Sequence, residues 1–168
     1  DDVLKFMKKD HDLAQAYQAI DRLHEAGLIY DAHIMTGVAG KGRGMENAEA
    51  LAQFLNRTNP AHVVNFSMFL HKEVPLYQDI RQGTFVPADE LETIREEYHL
   101  IERIAPEKAG ANILYDGFHD FIHVRVRGHL PGDKEKMLAK LNGIIQEYEG
   151  KEPVYSFVQG ECPDLEYC

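Results

Sequence analysis

The segment Ile34-Met35-Thr36-Gly37-Val38-Ala39-Gly40-Lys41-Gly42 constrains the fold most: an apolar run empties into a glycine-rich turn, and an amphipathic helical pattern follows. A strand that opens through bare backbone into a helix is the building unit of α/β proteins. Unpaired N–H groups and the helix dipole at such a strand end favour anionic or nucleotide-like ligands. The expectation is an α/β protein that binds or transforms a ligand.

Around this unit the periodicities alternate. Leu13, Ala16, Tyr17, Ile20 and Leu23 recur at helical spacing, with Asp12 placed to cap the helix and Gly27 to close it. Leu28 to Met35 reads as a strand bounded by glycines. Ala48, Leu51, Ala52 and Leu55 mark a second helix, which ends before Asn59-Pro60 because the residue before proline is pushed out of the helical region. His62 to Leu70 reads as a second strand, with Val64, Phe66, Met68 and Leu70 facing covering helices and Val63, Asn65, Ser67 and Phe69 facing a cavity. Pro75-Leu76-Tyr77 and Gly83 belong to a loop with a short helical turn. A third long helix is predicted from about Pro87 to Ile104, with Leu91, Ile94, Tyr98, Ile101 and Ile104 on one side. Such alternation implies parallel strand pairing through crossover connections.

The remainder differs in character. Ala111 to Leu114 reads as a short strand. Phe118 to Val126 reads as another, with His119, Phe121, His123 and Arg125 on one face. Gly128 to Gly132 turns the chain, Asp133 caps, and Leu138, Leu141, Ile145 and Tyr148 make a last helix. Residue 1 is Asp and a helical pattern begins almost at once, so the chain reads as the later part of something longer. Two parallel strands are far too few to close a barrel.

At 168 residues and 44% hydrophobic content, the chain supports one structural unit with a C-terminal extension. Its net charge of −10, with 18 scattered Lys and Arg, disfavours nucleic acid as a partner. No apolar run approaches the roughly 18 residues of a membrane span. The two cysteines, Cys162 and Cys168, form no disulfide framework, and a cytoplasmic location is expected.

Several segments stand in an order that resembles a known family. They are Asp2 to Lys9, Ala26-Gly27, Met35 to Lys41, Asn56 to Pro60, Pro75-Leu76-Tyr77 with Gly83, and Gly128-His129-Leu130-Pro131-Gly132-Asp133-Lys134. The chain resembles the C-terminal half of radical S-adenosylmethionine (radical SAM) proteins, in the iron–sulfur oxidoreductase group whose substrates are mostly unassigned. The resemblance covers about Asp1 to Ile145. It implies a fragment of a partial (β/α)6 TIM-like barrel, the last two parallel strands with their helices over residues 1–105, plus an α+β extension over 106–168. It also implies S-adenosylmethionine and a 4Fe-4S cluster as cofactors of a longer, enzymatic protein acting on an unknown small molecule. The cluster loop, Cys-x-x-x-Cys-x-x-Cys after the first strand, is missing from this sequence. Cys162 and Cys168 lie at the wrong end of the fold to replace it.

By the same resemblance, Thr36, Gly37 and Gly40 bring backbone near S-adenosylmethionine, and Ser67 and Met68 contact the adenine side. Leu70-His71-Lys72-Glu73-Val74 stands where the family has Pro-Leu-Pro-Gly-Thr. The implied partner is the missing N-terminal half of the barrel. An exposed sheet edge would otherwise favour strand pairing between copies. The chain alone is then inactive.

Other residues carry two readings each. The glycines of the turn serve either a cofactor or plain positive-φ geometry. Asp31 and His33 share a strand face, either as an acid/base pair within a barrel or as a satisfied buried histidine. His119 and His123, with His129 nearby, invite a metal, but residues four apart on a strand lie about 13 Å apart. Arg125 and Arg127 suit either a substrate carboxylate or phosphate, or an intramolecular ion pair. Besides the enzyme fragment stand two alternatives, a non-catalytic α/β interaction module and, more distantly, a metal-dependent hydrolase.

Overall fold

The alternation read from the sequence is realised, in a computed structural model that describes residues 1–157, as α1 (Asp2–Phe6), α2 (Leu13–Glu25), β1 (Asp31–Thr36), α3 (Gly44–Thr58), β2 (His62–Ser67), α4 (Pro75–Arg81), α5 (Glu90–Arg103), β3 (Ile113–His119), β4 (Val124–Leu130) and α6 (Lys134–Tyr148). Cys162 and Cys168 lie outside the described residues. The caps explain the boundaries. Asp12 accepts a hydrogen bond from the Gln15 N–H at 2.8 Å while the Gln15 side chain accepts one from the Asp12 N–H at 2.9 Å, a reciprocal capping box. At the other end of α2, Gly27 has φ +71°, and the N–H groups of Gly27 and Leu28 donate to the carbonyls of His24 and Leu23. Leu28 is therefore used to finish the helix, which is why β1 starts at Asp31 rather than at Leu28. Asn59, at φ 45°, ends α3 just before Pro60.

The sheet has the order β1-β2-β3-β4. The pairs β1–β2 and β2–β3 are parallel and β3–β4 is antiparallel. Among the described residues this is an α/β fold with a four-stranded open mixed sheet. The parallel set holds three strands rather than the two expected, because the chain leaving α5 returns alongside β2. The boundary expected after residue 105 falls between α5 and β3, and the strands beyond it join the same sheet.

One face of the sheet carries the main core. Ala48, Ala52 and Leu55 of α3, Ile94, Leu100 and Ile101 of α5, and Met137 and Leu141 of α6 pack on Val63, Ile113, Tyr115, Val126 and Leu130. Each fully buried aliphatic side chain of this set contributes about 1.5–3 kcal/mol of transfer free energy. No described helix is long and apolar enough to cross a membrane.

Two strand readings are corrected. In β2 the polar alternation Val63, Asn65, Ser67 lies under the helices, whereas Val64 is half-buried and Phe66 is 38% exposed on the other side. The reason is chemical: Asn65 and Ser67 find buried partners on α5. The strand also stops at Ser67, and Leu70 makes only an isolated bridge to Phe157. The stretch 118–126 is not one strand but the end of β3, a turn, and the start of β4, with His123 in the turn at φ 57°. His119 and His123 accordingly do not share a strand face.

Candidate functional site

The carboxyl ends of the three parallel strands meet the first two turns of α5. Thr36 lies opposite Ser67, and Phe66 opposite Phe118, so His119 is the next residue of β3 at the level of Ser67. Against these ends α5 presents Glu90, Thr93, Glu96 and Glu97. The three glutamates and His119 are each no more than 1% exposed.

His119 sits between two carboxylates. Its Nδ1 lies 3.2 Å from Glu90 Oε2 and its Nε2 lies 2.9 Å from Glu97 Oε2. Glu97 Oε1 also accepts from the Tyr115 hydroxyl at 2.9 Å and from Asn65 Nδ2 at 3.1 Å. Glu90 Oε1 accepts from the Ser67 hydroxyl at 3.1 Å and from that of Ser156, which the C-terminal segment brings back over the strand ends. The main-chain bonds Leu70 N–H to Ser156 O and Glu90 N–H to Val154 O fix that return. Glu96 faces the other way, accepting from the Gly37 N–H at 2.9 Å and from Asn47 Nδ2 at 2.6 Å. Gly117 makes room for the network, since a Cβ there would stand 1.8 Å from Glu97 Oε1.

The electrostatics follow from this packing. Burial works against a charged His119, but the hydrogen bonds to Glu90 and Glu97 and their charges outweigh it and raise the imidazole pKa to about 9. Both ring nitrogens therefore carry protons at neutral pH and donate to the two glutamates. Burial pushes the Glu96 carboxyl up to about 7, against the pull of Asn47 and the Gly37 N–H. Tyr115 is held well above the usual phenol range by burial and by Glu97, so it acts as a neutral donor. With both ring nitrogens bonded and the side chains buried among the described residues, this cluster and Glu96 tie α5 to the ends of β1, β2 and β3.

The residues expected near S-adenosylmethionine all lie at this edge. Thr36 is fully buried and its hydroxyl reaches the Phe66 carbonyl at 3.4 Å. The Ser67 hydroxyl is given to Glu90, and Met68 packs with Leu70, Ile80, Phe85 and Phe157 in a second apolar cluster. Gly37 (φ +82°) and Gly40 (φ +82°) need glycine for geometry. Added Cβ atoms would stand 2.8 Å from the Thr93 methyl and 2.9 Å from the Val86 carbonyl, respectively. Four N–H groups of the turn are spent inside the protein: Gly37 on Glu96, Gly40 on Gly37, Lys41 on Val86 and Gly42 on Glu92. Carboxylates of α5 thus occupy the positions at which the sequence suggests an anionic ligand.

The three histidines are not brought together. His119 faces the helices, His123 is in the hairpin turn and His129 is exposed on the opposite face of β4. Among the described residues no three His, Cys, Asp or Glu side chains converge as a metal-ligand set.

The sheet face away from the helices is lined, row by row, by Asp31, His62, Leu114 and His129, then His33, Val64, Asp116 and Arg127, then Met35, Phe66, Phe118 and Arg125. Asp31 and His33 share this face as expected, and both are exposed. Arg125 and Arg127 form the intramolecular pairing to Asp116, with Arg125 Nε and Nη2 at 2.9 and 2.6 Å and Arg127 Nε at 3.7 Å. The buried glutamates escape a sequence reading that treats charge as surface. Their signal is the spacing Glu90, Ile94, Glu97, Ile101, a single helical stripe in which acidic and apolar residues alternate.

No family model, no curated protein and no solved structure matches the chain.

Proposed function

We propose that the chain is the C-terminal portion of a radical S-adenosylmethionine protein, supplying part of a partial (β/α)6 barrel whose inner wall is the open sheet face. The observation that carries this reading is topological. Three parallel strands stand in sequential order with α3, α5 and α6 on one face, as in a barrel wall. A doubly wound sheet would reverse its order and cover both faces. The other face keeps Met35, Phe66 and Phe118 beside charged groups, a composition suited to a lumen that binds a small molecule.

The implied cofactors fit these residues unequally. No cysteine lies among the described residues, so none of them suits a 4Fe-4S cluster, and its ligands belong to the proposed missing half. The Thr36 and Ser67 hydroxyls and the Gly37 N–H are committed to the protein and are not donors for S-adenosylmethionine. Within this reading, Thr36, Gly37, Gly40, Ser67 and Met68 form the buried wall behind the cofactor rather than its hydrogen-bonding partners. Of these, Gly37 and Ser67 tie α5 to the strand ends through Glu96 and Glu90. Asp31 and His33 stand exposed on the lumen face of this reading. A cytoplasmic location is proposed on the cysteine usage of this chain.

A second reading is favoured by the outer edge of β1, which has no strand partner among the described residues, and by the exposed Met35 and Phe66: a non-catalytic module that pairs with another chain. Anaerobic purification of the whole gene product separates the two. Stoichiometric iron and sulfide with release of 5′-deoxyadenosine from S-adenosylmethionine under reducing conditions supports the enzyme. A reading frame that begins near Asp1, or a product with no cluster, leaves the interaction module.

A further inference from the structure

We propose that the open sheet face is a binding site for a small planar ligand that bears a carboxylate or phosphate group. The chain carries a net charge of −10, yet among the described residues two guanidinium groups on this face, those of Arg125 and Arg127, share the single carboxylate of Asp116. Asp116 is nearly buried and is held below the usual carboxylate range by the Arg125 hydrogen bonds, so it balances one of the two positive charges. Arg127 approaches it only through Nε at 3.7 Å, beyond hydrogen-bonding distance. Among the described residues the terminal nitrogens of Arg127 carry no hydrogen bond, and its side chain is 57% exposed. A guanidinium fork in that condition matches the two-oxygen edge of a carboxylate or phosphate.

The floor beside it is aromatic. Phe66 and Phe118 stack with ring centroids 5.6 Å apart and planes 15° apart, and the Arg125 guanidinium carbon lies 4.6 Å from the Phe118 centroid. The Phe66 ring continues the row toward Met35, and the His33 ring is 6.4 Å from it. A flat ring lying across the outer edges of the stacked Phe66 and Phe118 rings, with its anionic group toward Arg127 and the outer edge of Arg125, satisfies both features at once. The inference rests on this face alone. It holds whether or not a longer protein carries an iron–sulfur cluster, so the two proposals fail separately.

Titrating the isotopically labelled 168-residue chain with phenyl phosphate, benzoate and inorganic phosphate tests it, following the arginine Nε–H signals and the amides of β2, β3 and β4. Shifts in Arg125, Arg127 and the amides around Phe66 and Phe118 are expected with phenyl phosphate or benzoate, and the tighter of the two identifies the anion. Aromatic stacking should make phenyl phosphate bind about fivefold or more tightly than inorganic phosphate. Arg127→Gln, an exposed change, should weaken binding about tenfold, while Asp116→Asn should strengthen it by freeing both guanidinium groups. Absence of shifts with both aromatic anions, or shifts that persist undiminished in Arg127→Gln, would overturn the site. Equal affinity for phenyl and inorganic phosphate would overturn the aromatic floor. Should Asp116→Asn not fold by thermal melting, Arg127→Gln decides alone.

Discussion

His119 is an imidazolium locked between Glu90 and Glu97, and the sign of its effect on stability is fixed by that lock. A folded pKa of about 9 against 6.5 in an open chain means that its stabilisation is complete below about pH 6.5 and is lost as pH rises through 9. The loss amounts to roughly 3 kcal/mol. Glu96 acts with the same sign in a lower window, because its buried carboxyl titrates near 7 rather than 4.5 and its ionisation weakens the fold between those values. Urea midpoints should therefore fall from pH 6.5 to 9, and a flat profile over that range would contradict the lock. His119→Gln leaves two glutamates buried without their cation. It should cost about 3–5 kcal/mol at neutral pH and abolish the alkaline part of the slope, read by the same denaturant series. Gly117→Ala places a methyl on the Glu97 carboxylate, which Tyr115, Asn65 and His119 hold in place. A destabilisation of about 2 kcal/mol or more is expected from calorimetry.

At the scale of elements, the parts written in local chemistry were legible. The Asp12 cap and the Gly27 closure of α2, the stop at Asn59-Pro60 and the stripe of α6 depend on neighbours in sequence, and the structure places them where the sequence does. Asp12→Ala removes the capping box and should lower the melting free energy by about 1 kcal/mol, with far-ultraviolet circular dichroism reporting the loss. What escaped depends on contacts far apart in sequence. Which face of β2 is covered was settled by glutamates 23 and 32 residues downstream, and alternation alone cannot choose between an apolar face and a polar one whose partners are buried. The hairpin between β3 and β4 was masked because Phe121 and Ile122 keep the apolar rhythm of a strand through a turn. Of the site, Thr36, Gly37, Gly40, Ser67 and Met68 were expected through the resemblance, and the bonds of Gly37 and Ser67 to α5 were invisible without Glu96 and Glu90 in place.

At the scale of the whole molecule, β1 is an edge strand, and the sheet face beside it carries exposed Met35 and Phe66. An edge with no strand partner among the described residues invites another strand. The 168-residue chain should self-associate with rising concentration, and sedimentation showing a monomer throughout would argue that the edge is protected. If the sheet continues into a barrel, the added strand must pair with the outward amides of β1. Hydrogen exchange of the β1 amides, compared between the 168-residue chain and the whole gene product, measures that pairing directly. Fast exchange in the chain and strong protection at 31–36 in the whole product is the result a partial barrel predicts. Equal, unprotected exchange in both would contradict it.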